Sequence, residues 1–318
     1  RQGSGDFILR SFIIRRLWLM IPLLLGITFI TFSLTKALPG DPVFSLVGER
    51  SSPEIIEKIR KEIGADKSII RQYAGYITLL LQGELGRSYY TNRKVVDEVG
   101  QKFPNTLVLA FAAMAIAAPL GVLLGFIAAL NKGKAADKII TMLSVSGISM
   151  PVFWSGLLLM LFFSLRLRVL PPSGTGGLQY LVLPAITLSL PALATLIRIT
   201  RITVLEVMDA QFIRTARAKG ITETAINAIH IMKNALIPVI TVIGLEFGSY
   251  LNGAVLTETI FGWDGIGRYA MEGIIKRDYP VIMGCLLVGT IVFVLMNLIV
   301  DIIYHYADPR VRVHGTDR

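Results

Sequence analysis

Six stretches of this chain are nearly free of charge and long enough to cross a bilayer: residues 17–35, 103–130, 139–165, 181–197, 236–260 and 279–300. A hydrocarbon core about 30 Å thick is spanned by roughly 20 helical residues. Lipid offers no partner to backbone amides, so single segments of this length cross as helices. The fold class expected is therefore an all-α polytopic membrane protein with six transmembrane helices. The fourth run is short and holds Pro184 and Pro191, and the fifth carries two acids, Glu246 and Glu258. Pro119, Pro151, Pro184 and Pro191 are expected to bend their spans. Length alone would suggest two soluble domains. Only 17% of the 318 residues are charged, however, against about 25% in a soluble domain.

Six crossings put both termini on one side. With the N-terminus in the cytoplasm, segments 1–16, 131–138, 198–235 and 305–318 lie inside and hold 16 Lys and Arg, against five in the short outer loops 166–180 and 261–280. Lys and Arg favour the cytoplasmic side of short loops, so both termini are expected to be cytoplasmic. The net charge of +10 follows from the same rule. No patch of interleaved basic and aromatic residues points to nucleic acid.

The layout expected is a start at 1–11, a first span at 12–36, an outer loop at 37–102, a core of five spans at 103–305 and a cytoplasmic tail at 306–318. Residues 1–5, Arg-Gln-Gly-Ser-Gly without a Met, read as a remnant of cloning and carry no fold argument. The run after Arg15-Arg16 ends at Lys36-Ala37-Leu38-Pro39-Gly40, without a small-residue cleavage pattern, and reads as a retained helix. In the outer loop, Ser52-Pro53-Glu54 opens a helix, Ile55, Ile56, Ile59 and Ile63 form its apolar stripe, and Gly64 ends it. Glu57 and Lys61 pair across one turn. This helix is expected to lie on the outer membrane face or against the spans.

The lone cysteine, Cys285, sits in an apolar run and reads as a small hydrophobe. His230, His305 and His314 are scattered without ligand spacing, so no metal site is expected. The chain contains no Gly-x4-Gly-Lys-[Ser/Thr] phosphate loop and no catalytic constellation. It is read as a non-enzyme with no cofactor of its own.

The most informative loop is 198–238. Its run Asp209-Ala210-Gln211-Phe212-Ile213-Arg214-Thr215-Ala216-Arg217-Ala218-Lys219-Gly220 describes a short helix. Asp209 can complement its start, and Arg217 and Lys219 suit its negative end. Gly220 supplies the left-handed stop, and Thr222 is an N-cap for the next helix. A compact basic knuckle of this kind suits docking of a partner protein; an ordinary solvated loop is the plainer alternative.

The run from Phe212 to Gly220, followed by Lys233-Asn234-Ala235-Leu236-Ile237-Pro238, resembles the "EAA" coupling loop of ABC importer permeases, in particular the dipeptide/oligopeptide/nickel branch. Further stretches resemble the same branch in order along the chain: Leu38-Pro39-Gly40-Asp41-Pro42, Gly83-Glu84-Leu85-Gly86-Arg87-Ser88, Leu256-Thr257-Glu258-Thr259-Ile260-Phe261, Gly265-Ile266-Gly267-Arg268, Arg277-Asp278-Tyr279-Pro280, Asn297-Leu298-Ile299-Val300-Asp301 and Asp308-Pro309-Arg310. The chain departs from the general motif at Arg214-Thr215-Ala216, where Glu-Ala-Ala is usual. It departs again at Asp264, where the branch often has Pro. The resemblance implies a type I importer transmembrane domain in a bacterial or archaeal inner membrane. It also implies a homologous second permease, two ATPase subunits that bind the ATP and Mg, and an extracytoplasmic binding protein. The coupling residues would be Ala210, Phe212, Ile213, Arg214, Thr215, Ala216, Arg217, Lys219 and Gly220.

Ionisable residues inside a membrane are costly and usually face a cavity or a partner. Glu246, with Asn252 about two turns on, is expected to face a translocation path, with a structural hydrogen bond as the alternative. Glu258 is expected near an outer gate, and Asp301 is expected to pair with a basic residue at the inner edge. Gly121 and Gly125 form a close-packing Gly-x-x-x-Gly. The substrate implied is a di- or oligopeptide, with nickel complexes or glutathione as alternatives. An ion-coupled secondary transporter or channel would instead require inverted repeats and a proton or sodium relay, and no repeat is evident.

Overall fold

The computed structural model describes residues 2–37, 43, 52–251 and 254–307. The elements are α1 (Gln2–Ala37), α2 (Pro53–Glu62), α3 (Ile69–Leu81), α4 (Val95–Leu130), α5 (Ala135–Ser149), α6 (Val152–Leu159, continued by a π-helical segment Met160–Arg166), α7 (Leu178–Met208), α8 (Gln211–Ala218), α9 (Glu223–Leu251), α10 (Val255–Ile260), α11 (Ile266–Lys276) and α12 (Tyr279–Ala307). Five helices, or parts of them, are long and apolar enough to cross a membrane: Ile14–Lys36 within α1, Val95–Leu130, Leu178–Met208, Glu223–Leu251 and Tyr279–Ile303. The expected third span, 139–165, is present as a bent pair of helices, in line with the bend expected at Pro151. It bends by 103° between α5 and α6, where Pro151 precedes α6 and cannot donate to the helix ladder. Pro119, Pro184 and Pro191 lie inside continuous helices.

The core is α4 laid parallel to α7. Gly121 and Gly125 make this possible: a Cβ on Gly121 would lie 2.6 Å from Leu196 Cβ, and one on Gly125 2.6 Å from the Ile197 carbonyl. The glycine pair is therefore a packing device. Leu109, Ala113, Ala117, Leu188, Ala192 and Leu196 fill the seam. Antiparallel to each other, α9 and α12 close the bundle, with Gly244 against Val300 and Gly248 against Met296. Arg16 of α1 pairs with Asp301 of α12 at 2.7 Å, as expected of Asp301. The start of the first span therefore meets the end of the last.

The loop before α4 is more ordered than its sequence suggested. Gly64 takes φ +69° and ends the apolar-striped α2, and Lys61 pairs with Glu57 at 3.4 Å. The helix α3 was not foreseen. Its Tyr73 reaches the middle of α1, with the hydroxyl 3.2 Å from Thr28 Oγ1 and the ring edge-on to Phe29. The helix α4 begins at Val95, within the expected outer loop 37–102. The motif 38–42, Asn252, and the end motif 308–310 lie outside the described residues.

Candidate functional site

The knuckle is built as a small lever. The span helix α7 runs unbroken to Met208, so Asp209 ends that helix rather than starting the next. Ala210 takes the N-cap position of α8, without a side-chain cap. Ile213 is fully buried and Ala216 nearly so. They join Ala129 of α4, Val204 of α7, and Ile226, Ile231 and Ala235 of α9 in one apolar cluster. That places α8 across the ends of three long helices. Phe212, Arg214, Thr215, Arg217, Lys219 and Gly220 stay exposed, and Ala210 is half-buried. Gly220 takes φ +74° and turns the chain back. Thr222 then accepts from the Ala225 amide at 3.4 Å as N-cap. Arg217 is held in place by Glu223, at 2.8 Å. The coupling residues expected from sequence thus divide in two: Ile213 and Ala216 anchor, and the others face outward.

The acids expected on a path also divide. Glu246 is half-buried in α9 and makes no hydrogen bond or ion pair with the described residues. One turn on, Tyr250 is buried and donates its hydroxyl to the Leu188 carbonyl at 2.7 Å. Glu258, on α10, is fully buried and wholly engaged. Thr106 Oγ1 donates to its Oε1 at 2.8 Å, and the Arg268 amide donates to its Oε2 at 3.0 Å. The carboxylate therefore sits at the N-terminal end of α11, where the backbone N–H groups carry positive charge. Gly265 and Gly267 leave room for it: a Cβ on Gly265 would fall 2.4 Å from the Glu258 carboxyl carbon. The same Thr106 hydroxyl accepts from the Ile266 amide at 3.0 Å. Lys102 fixes Asp264 at 2.7 Å, and Asn105 donates to the Asp264 carbonyl at 2.8 Å. Asp264 thus holds the turn before α11 through a contact to α4.

A second carboxylate knot lies at the same end. Asp278, ahead of α12, is buried and accepts from Ser88 Oγ and, at 3.1 Å, from the Tyr89 amide. Gly86 approaches Pro280 closely. Two pairs of motifs that were separate in the sequence, 83–88 with 277–280 and 256–261 with 265–268, are therefore two contacts in space. Sequence reasoning missed this, and also missed an ion pair on a buried Asp at the knuckle end. There Arg201 grips Asp137 with two hydrogen bonds, Nε at 2.6 Å and Nη2 at 2.8 Å. A signal was available: Asp137 and Arg201 each stand at the margin of an apolar run.

A bundle of membrane-length helices, closed at one end by an anchored basic helix, defines a polytopic permease domain. Two solved structures share this fold. A chain of the MetNI methionine ABC transporter aligns with TM-score 0.56 at 16% identity, over 66% of this chain and 96% of its own. A chain of an amino acid ABC transporter aligns with TM-score 0.52 at 16% identity, over 66% and 94%. The chain belongs to the binding-protein-dependent transport system inner membrane component family, whose model matches residues 121–313 while its N-terminal companion matches 9–110. It is 43% identical to a di/tripeptide transport system permease of Pseudomonas aeruginosa, over 95% of this chain and 98% of that one. It is 38% identical to a dipeptide permease of Escherichia coli K12, over 95% and 98%, and 37% identical to a glutathione permease of Escherichia coli, over 95% and 99%. The chain is an ABC importer permease of the peptide-transport type.

Proposed function

We propose that this chain pairs with a homologous second permease to form the path by which di- or oligopeptides enter the cell, and that it contributes no catalytic group. Two separate ATPase subunits would bind the nucleotide and dock on α8. An extracytoplasmic binding protein would deliver substrate to the opposite face. The knuckle side is then cytoplasmic, as is each terminus, in agreement with the Lys and Arg bias of the short loops.

The observation that carries this reading is the two-sided build of α8. Ile213 and Ala216 bind it to the ends of α4, α7 and α9, while Phe212 and Arg214 are presented outward. A push on the outer side moves three spans together, as a rigid-body switch requires. Nucleotide closure of the ATPases would supply the push, and hydrolysis would reset it. On the path, Glu246 would offer a peptide ammonium a carboxylate that makes no hydrogen bond or ion pair with the described residues. Glu258 keeps the nearby frame of the outer gate rather than touching substrate.

Arg214 is the clean test, because Arg217 also pairs within the chain. Arg214→Glu is expected to release the ATPase subunits on co-purification. It is expected to leave thermal stability within about 0.5 kcal/mol, as for an exposed substitution. Retention of the ATPases at the wild-type ratio would remove α8 from the docking site. A glutathione importer, the alternative within the family, is separated by uptake competition between a dipeptide and glutathione.

A further inference from the structure

The knuckle grips α4, α7 and α9, but its apolar cluster does not include α5. The broken third span, α5 with α6, therefore needs another link if it is to move with the rest. The link at that end is polar. Asp137 sits in the first turn of α5 and is nearly fully buried. Arg201 sits in the part of α7 that runs on toward the knuckle. Its guanidinium meets both carboxylate oxygens of Asp137, Nε with Oδ1 and Nη2 with Oδ2. The Gly133 amide donates to the same carboxylate at 2.8 Å, and Thr141 Oγ1 donates at 3.3 Å. The loop from α4, the start of α5, and α7 thus share one carboxylate. A planar fork on a carboxylate fixes orientation as well as distance.

The surrounding packing shows why this pair matters. Beside it lies an open surface groove of about 500 Å³, lined by α5 residues from Asp137 to Ser146 and, from α7, by Arg201, so this margin of the α5–α7 contact is open to solvent. Close packing of α5 on α7 is seen further along, where Gly147 faces Ala194; a Cβ on Gly147 would lie 3.2 Å from Ala194 Cβ. Nearer the knuckle, the fork supplies the oriented polar link in the α5–α7 contact.

We infer that the Asp137–Arg201 pair is a strut. It carries movement of α7 into the bent span α5–α6, and so couples nucleotide turnover to opening of the path. Both are positioning residues: neither touches nucleotide or peptide. The inference rests on the importer reading above, since it needs ATPases acting through α8.

The test uses the whole transporter, reconstituted in vesicles with its partner subunits and binding protein. ATP hydrolysis and peptide uptake are measured together, and the readout is peptide imported per ATP hydrolysed. Asp137→Asn keeps the shape and weakens the fork. Coupling between sites is typically several-fold to a hundredfold, so the ratio is expected to fall about tenfold while hydrolysis continues. Arg201→Lys keeps the charge, loses the fork, and is expected to fall less. An oxidised Gly147→Cys/Ala194→Cys cross-link in the Asp137→Asn background is expected to restore the ratio by tying α5 to α7 covalently. An unchanged ratio in both Asp137→Asn and Arg201→Lys overturns the strut. If Asp137→Asn does not assemble, Arg201→Lys alone decides by the same ratio. Wild-type protein that binds no ATPase overturns the importer reading instead, so the two failures are distinct.

Discussion

Glu246 and Glu258 fall in the same apolar run, 236–260, yet the structure treats them in opposite ways. Glu258 is on α10, fully buried, with both oxygens accepting hydrogen bonds from α4 and α11. Glu246 is on α9, half-buried, with no hydrogen bond or ion pair to the described residues. What separates them is the supply of donors. A carboxylate at a helix N-terminus, cradled by Gly265 and Gly267, is stabilised by backbone N–H groups and a hydroxyl. A carboxylate on the flank of a continuous helix has no such supply, because its neighbours' amides already serve the helix. The first suits a frame. The second leaves lone pairs free, which is costly inside a membrane and useful if a cationic ligand passes.

The comparison is broken most directly at Glu258. Replacement by Ala leaves the Thr106 hydroxyl and the Arg268 amide without their buried acceptor, at a cost of about 3 kcal/mol or more. Gly265→Ala is expected to destabilise similarly from the opposite side, since its Cβ would overlap the carboxylate. Thermal unfolding in detergent measures both. A loss below about 1 kcal/mol for Glu258→Ala, the net worth of one ordinary hydrogen bond, would mean that α10 and α11 are held by packing alone.

The next effect is on Glu246 and concerns rate rather than stability. Glu246→Gln removes a charge with no hydrogen bond or ion pair among the described residues, so unfolding is expected to be unchanged or slightly later. A charge-assisted bond to a peptide ammonium is worth about 1.5 kcal/mol, so uptake is expected to fall about tenfold. Wild-type uptake with wild-type affinity would remove Glu246 from the path. A fall in stability as large as that of Glu258→Ala would give the two acids the same structural role.

Hydropathy alone made the spans legible, along with their number within one and the close packing of Gly121 and Gly125. The knuckle was legible as a helix–Gly–helix corner, because Gly220 and Thr222 are local signals. Three things were not. Pro151 was rightly expected to bend its span, but the size of the bend, 103° between α5 and α6, depends on what each half packs against. Asp209 was placed at the start of α8, whereas α7 persists to Met208: the continuous apolar face of α7 against α4 outweighs the local pull of the Asp. The donors around Glu258, which was expected near an outer gate, could not be read either, since a sequence does not show that residues 106, 265 and 267 converge on one carboxylate. Long-range donors decide that role, and they are visible only in space.

The smallest expected effect lies in the loop that bears the Asp278 knot, and it sharpens the comparison from the exposed side. Lys94, which forms a backbone bridge with Arg87, pairs with Glu84 at 2.7 Å. The Lys94 hydrogen bond, and after it the Lys94 charge, hold the Glu84 carboxyl below its usual 4.5. A depressed carboxyl contributes stability that is present above its usual value and lost as pH falls through the lowered one. Acidification below 4.5 is therefore expected to loosen this loop, and Glu84→Gln to remove that part of the pH response. Both groups are well exposed, so the contribution is screened by solvent and salt. It should be the smallest shift of the three and should shrink further at high ionic strength. Amide exchange over residues 84–94, followed against pH in low and high salt, measures it. A salt-independent response of the size seen for Glu258→Ala would show that an exposed carboxylate can frame this end of the molecule as firmly as a buried one.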